Sequence, residues 1–108
     1  MNDQHDPTHM TIAAVTDRTA QRAKELGVTD ALEALRAELE HRPRLGRHIR
    51  TVTEGAQQVE LHSARIEGDP AAGRPAVNVV HAFAPAPPWP RTVRIAAVVP
   101  EDPPHPGS

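Results

Sequence analysis

The chain has 108 residues, 38% of them hydrophobic, with one Phe, one Trp, no Tyr, no Cys and a formal net charge of −2. That length holds a single domain, and the absence of cysteine excludes disulfides, thiolate nucleophiles and thiolate-bound zinc. No apolar run approaches the roughly 18 residues of a membrane span, and residues 1–9 carry no apolar segment of a secretion signal, so no membrane partner is expected and the cytoplasm is the default compartment.

Residues 1–9 are polar and acidic and read as a disordered extension, with Met10 as an alternative start to Met1. Thr11–Val15 has the composition of a short strand. Thr16 or Asp17 can cap a helix that runs to about Leu26, with Ala20, Ala23 and Leu26 on one face and Gly27 as its stop. Asp30 with Glu33 three residues on has the form of a capping box. Leu32, Leu35 and Leu39 then mark one face of a second helix that Pro43 ends. Neither helix is long enough to stand without packing on something else.

The stretch His41-Arg42-Pro43-Arg44-Leu45-Gly46-Arg47-His48-Ile49-Arg50 joins this helical half to a strand-forming half and holds four arginines and two histidines. Past it, residues 58–66 alternate with Val59 and Leu61 on one face and Glu60 and His62 on the other. Residues 68–75 are dense in turn formers. Residues 76–84 place Val77, Val79, His81 and Phe83 on one face, and residues 92–99 place Val93, Ile95, Ala97 and Val99 on one face. Between these last two strands, Pro85 to Pro90 forms a stiff connection in which Trp89 is a candidate hydrophobic anchor. The expected fold is α+β, a helical hairpin packed on a small, mostly antiparallel sheet in the order β-α-α-β-β-β, as one domain over residues 10–100 with a disordered Pro-rich tail at 101–108. Asp3, Asp6, Glu101 and Asp102 lie in the two tails, which leaves ten acidic against twelve basic residues in the body, about +2.

This order, with Arg42-Pro43-Arg44-Leu45-Gly46-Arg47 leaving the second helix, resembles the RelE/ParE superfamily of bacterial toxins, whose members carry a turn of the type Asn-Pro-Arg-Leu-Gly-Lys. Val77-Asn78-Val79-Val80-His81 is similar to the family strand Tyr-Arg-Val-Ile-Tyr, and Val93-Arg94-Ile95-Ala96-Ala97-Val98 to its Val-Arg-Ile-Leu-Ala-Ile partner. Asn78 stands where the family has Arg, His81 where it has Tyr, and Pro100 and Glu101 where family toxins often end in His, Arg or Tyr. The resemblance implies a toxin of a type II toxin-antitoxin system, partnered by a cognate antitoxin. One branch cleaves ribosome-bound mRNA as an endoribonuclease. A second reading is a non-enzymatic interaction module of the same fold, degenerate or gyrase-binding as in the ParE branch, and a third is a small α+β protein with no tie to toxins.

Ribonuclease chemistry of the implied kind drives the 2′-hydroxyl onto its neighbouring phosphate, which requires positive charge on the phosphorane and a group that moves protons. Arg65, Arg74 and Arg94 are the candidates for the charge, and His62 and His81 for the proton transfer. Equally, strand arginines are often solvated, and a histidine sharing a face with Val77, Val79 and Phe83 is often a hydrogen-bonded core residue. Arg44, Arg47, Arg50 and Arg74 are candidate contacts to RNA phosphates, while Arg42 suits the negative end of the second helix. No HxH or HxxxH spacing accompanies the histidines, so neither a metal nor another cofactor is expected.

Overall fold

The computed structural model describes residues 11–85 and 91–101. The expected extension at 1–9, the alternative start Met10, the anchor Trp89 and the tail beyond Glu101 lie outside the described residues. In chain order the elements are β1 (Thr11–Val15), α1 (Asp17–Leu26), α2 (Thr29–His41), β2 (Arg47–Glu54), β3 (Gln57–Ile66), a 3-10 turn (Pro70–Ala72), β4 (Val77–Ala84) and β5 (Arg91–Pro100). The class is α+β, with two α-helices and a five-stranded mixed sheet among the described residues. Four strands, not three, follow the helical hairpin. The additional one is β2, which the sequence presents as part of the basic joint.

Local chemistry accounts for most boundaries. Thr16 caps α1, its Oγ1 accepting the Thr19 N–H at 3.3 Å. Gly27 closes α1 in the left-handed region at φ 73°. The Gly27 and Val28 N–H groups turn back onto the carbonyls of Lys24 and Ala23 at 3.2 and 2.9 Å, the pattern of a Schellman cap. That cap fixes where α2 begins. Val28, already held by α1, accepts the Leu32 N–H at 2.8 Å, so the helix starts one residue before the expected capping box. Asp30 then lies inside the first turn, where its charge complements the helix dipole, and Glu33 pairs with Arg36 at 2.7 Å.

The sheet runs β1-β5-β4-β3-β2, with β1 parallel to β5 and every other pair antiparallel. Val77, Val79, Phe83, Val93, Ile95 and Val98 join Ala13, the helical Ala23, Leu32 and Leu39, and Val28 from the turn between the helices in one buried cluster. Leu35, expected inside with its neighbours, packs at the rim and is only half-buried. The strict alternation expected in β5 also breaks. A register shift opposite Val80 and His81 brings Val98 inward and leaves Val99 half exposed. Glu101, assigned by its sequence to the mobile tail, is docked. Its N–H bonds the Ala76 carbonyl at 2.9 Å, and its carboxylate holds Arg65 at 2.6 Å and Asn78 at 3.3 Å.

One edge of the sheet is closed by α2. The Ala13 N–H donates to Glu40 Oε2 at 3.2 Å, while Arg36 donates to the Ala13 carbonyl at 3.3 Å and to Glu40 at 3.1 Å. Both outward backbone groups of that residue, at the middle of β1, are thereby satisfied.

Candidate functional site at the helix-to-strand joint

Pro43 lacks the N–H that a further helical turn requires, so the chain leaves α2 and crosses the sheet as the segment 42–46 before entering β2. Gly46 makes that crossing possible. Its φ is 96°, and a β-carbon built there would sit 2.3 Å from the Ser63 carbonyl oxygen on β3.

Three contacts hold the segment down. The Leu45 carbonyl accepts from His81 Nε2 at 3.0 Å. Arg44 grips Glu60 with two parallel bonds, Nε to Oε1 at 2.7 Å and Nη2 to Oε2 at 2.9 Å. The Arg44 guanidinium also lies 5.0 Å from the centre of the Phe83 ring, with that of Arg91 5.8 Å from the same centre. Arg42, Pro43, Arg44, Leu45 and Arg91 enclose a shallow cavity of about 380 Å³.

Beneath the joint, one histidine from each of β2, β3 and β4 forms a row across the sheet. His48 pairs in register with His62, and His62 with His81. The His62 and His81 rings stack with centroids 5.5 Å apart and planes 13° apart, and His48 meets His62 edge-on at 5.2 Å. His62 and His81 are buried, whereas His48 is exposed. His62 Nε2 is 3.0 Å from Glu60 Oε1. Since a carboxylate and a carbonyl only accept, both buried rings carry their proton on Nε2. Nδ1 of each is buried without a hydrogen-bond partner. Near-parallel stacked rings direct their in-plane lone pairs side by side rather than toward a common point, and among the described residues no group of His, Asp or Glu could hold a metal ion.

The electrostatics follow from the contacts. The Arg44 hydrogen bonds, helped by that from His62, hold the Glu60 carboxyl well below its ordinary range at about 2, against the opposing effect of partial burial. Burial lowers the pKa of His81, partly offset by its bond to the Leu45 carbonyl. A histidine whose folded pKa lies below its unfolded value takes up a proton on unfolding, so its contribution is present above about pH 6.5 and is lost as acid carries the solution down through the folded value. Glu60 contributes in a separate window, between its ordinary pKa of 4.5 and about 2. The melting temperature should therefore fall between pH 7 and pH 5, and His81→Gln, which keeps a donor for Leu45 but cannot titrate, should flatten that slope. An identical slope in both proteins would refute the assignment to His81.

The candidate catalytic residues are divided between the two faces of the sheet. His62 and His81 point toward the core beneath the joint. Arg65 and Arg94 lie on the opposite face, on β3 and β5, two strands and four register positions apart, which separates their backbones by about 16 Å. Each of those arginines is also engaged. Arg65 binds Glu101 and Glu67, and Arg94 lies 3.7 Å from Glu54. The structure therefore brings the two histidines together but does not bring either of them to the arginines.

The candidate RNA contacts are likewise dispersed. Arg44 is held by Glu60, Arg47 and Arg50 project from β2, and Arg74 closes the β3–β4 loop by a two-bond bridge to Asp69. Sequence reasoning missed Glu60, which links Arg44 to His62. Its place on one strand face with His62 was readable from their spacing of two, but its long-range pairing with Arg44 was not. Comparison of the chain with protein-family models, curated proteins and solved structures gives no match to any of the three.

Proposed function

We propose that this chain is a toxin-family protein of RelE/ParE type, acting in the cytoplasm and neutralised by a cognate antitoxin, and that it works by binding a macromolecular target rather than by cutting RNA. The Pro43-Arg44-Leu45-Gly46 exit from α2 and the order of a first strand, a helical hairpin and a strand meander support the family reading. One observation carries the preference for binding over cleavage: the groups suited to moving protons, His62 and His81, lie on the opposite side of the sheet from Arg65 and Arg94. In-line attack on a phosphate requires both within a few ångströms of the same atoms. Asn78, at the strand position where the family carries Arg, donates to Glu101 instead of presenting a charge.

Purified ribosomes translating a defined message provide the test. The wild type should leave the message uncut, and Asn78→Arg should not rescue cleavage, although restoring one charge-assisted contact in an otherwise intact site would raise the rate by about two to three orders of magnitude. Expression should still arrest growth, and co-expression of the cognate antitoxin should relieve the arrest. Cleavage by the wild type within coding frames would return the reading to the endoribonuclease. No growth arrest and no antitoxin binding would remove the toxin reading altogether.

A further inference from the structure

The two edges of the sheet are finished differently. At β1, α2 occupies the outward N–H and C=O of Ala13 through Glu40 and Arg36. At the other edge β2 is last in the sheet order, and all its residues except Val52 are exposed. Among the described residues no strand pairs with its outward row of backbone donors and acceptors, which is a template for another strand.

The side chains specify which strand fits. A register shift at Ile49 interrupts β2, and the regular part that follows is Arg50-Thr51-Val52-Thr53-Glu54. Arg50, Val52 and Glu54 lie on the face away from the helices, and Thr51 and Thr53 on the face toward them. Turned antiparallel about Val52, this segment is its own complement. Arg50 falls opposite Glu54 of a second copy, Thr51 opposite Thr53, and Val52 opposite Val52, with both members of every pair on the same face. Opposite charges, paired threonines and paired β-branched residues are each favourable across antiparallel strands.

The charges needed are also accessible. Among the described residues Arg50 makes no ion pair, and the contact of Glu54 with Arg94 is long at 3.7 Å between two half-exposed side chains. Val52 already pairs with the buried Val59 on β3, so a second copy would extend an apolar line across the join.

We infer that β2 is a self-association edge, through which two copies pair antiparallel about Val52 to form one continuous ten-stranded sheet. A five-residue edge buries much less than the roughly 1,200–2,000 Å² of a standard stable interface. The dimer is accordingly weak and reversible, and strong salt loosens it further.

Sedimentation equilibrium of the full chain over a wide concentration range tests this. The apparent mass should rise toward twice the monomer value at high concentration. Arg50→Glu and Glu54→Arg should each weaken association at least about tenfold, because each places two like-charged pairs across the join. Mixing the two variants should restore it, since every facing pair is then of opposite sign, and a variant carrying both changes should dimerise like the wild type. Circular dichroism establishes that each variant is folded. Should Glu54→Arg unfold beside Arg94, Glu54→Gln removes the attraction without reversal and should weaken association several-fold. A chain that stays monomeric throughout, or a dimer indifferent to both reversals, overturns the proposal. So does an edge that binds only an acidic peptide or an RNA oligonucleotide and never a second copy.

Discussion

Phe83→Ala is expected to lower the unfolding free energy by about 3–5 kcal/mol, enough to leave the domain largely unfolded in mild urea. Phe83 is the only phenylalanine of the sequence and is fully buried. The rest of the core is built from Val, Ala, Leu and Ile, which have little extra volume to move into the space an aromatic ring vacates. The ring does a second job by carrying the guanidinium groups of Arg44 and Arg91 at 5.0 and 5.8 Å. Its loss removes core volume and also the surface on which the joint rests. Phe83→Leu keeps most of the volume and should cost clearly less. Urea titration of the two variants separates the contributions, and a loss below about 1 kcal/mol for Phe83→Ala would show that the core repacks around the cavity.

The second large effect is expected at Gly46, where Ala should cost about 3 kcal/mol or more. Part of this is conformational, since a side chain at φ 96° is strained by about 1–3 kcal/mol. The remainder is contact, because the new methyl would meet the Ser63 carbonyl oxygen at 2.3 Å and the Ser63 carbonyl carbon at 2.9 Å. Those are backbone atoms of β3, and no rotamer change relieves the overlap. Gly55, at φ 62° in the β2–β3 turn, has nothing within 4 Å of the same position. Gly55→Ala should therefore show the conformational cost alone, about 1–2 kcal/mol. Equal melting temperatures for the two variants would mean that the joint can lift away from the sheet without consequence.

The joint also marks where the sequence stops being readable. Its helical side was legible because Thr16 caps with its own side chain, because Gly27 and Pro43 act through their own backbones, and because Leu32 and Leu39 repeat on one face. The inner strands were legible because β3 alternates apolar and polar residues and because β4 and β5 are runs rich in Val with apolar residues on both faces. β2 was not, because a strand at an open edge has almost no buried face and so no hydrophobic period. Its arginines read as a charge cluster, although the β-branched Thr51-Val52-Thr53 run before Gly55 is the local composition of a strand entering a tight turn.

The candidate site was legible in its members but not in its arrangement. Alternation placed Glu60 with His62, and His81 with Phe83. The pairing of β3 with β4 is what stacks the two histidines, and the path of the joint is what brings Arg44 and the Leu45 carbonyl to them. Those contacts span 16 and 36 residues of sequence, a separation that no local pattern encodes.

The parallel pairing of β1 with β5 imposes an order on synthesis. Thr11 lies beside Arg91, so β1 has no strand partner until β5 has been synthesised. The pairings of β2 with β3, β3 with β4 and β4 with β5 each join neighbours in sequence and can form as the chain emerges, while closing β1 onto β5 must wait for the longest loop in the molecule. Until then the buried faces of α1 and α2 lack Val93, Ile95 and Val98, the part of the shared core that β5 supplies.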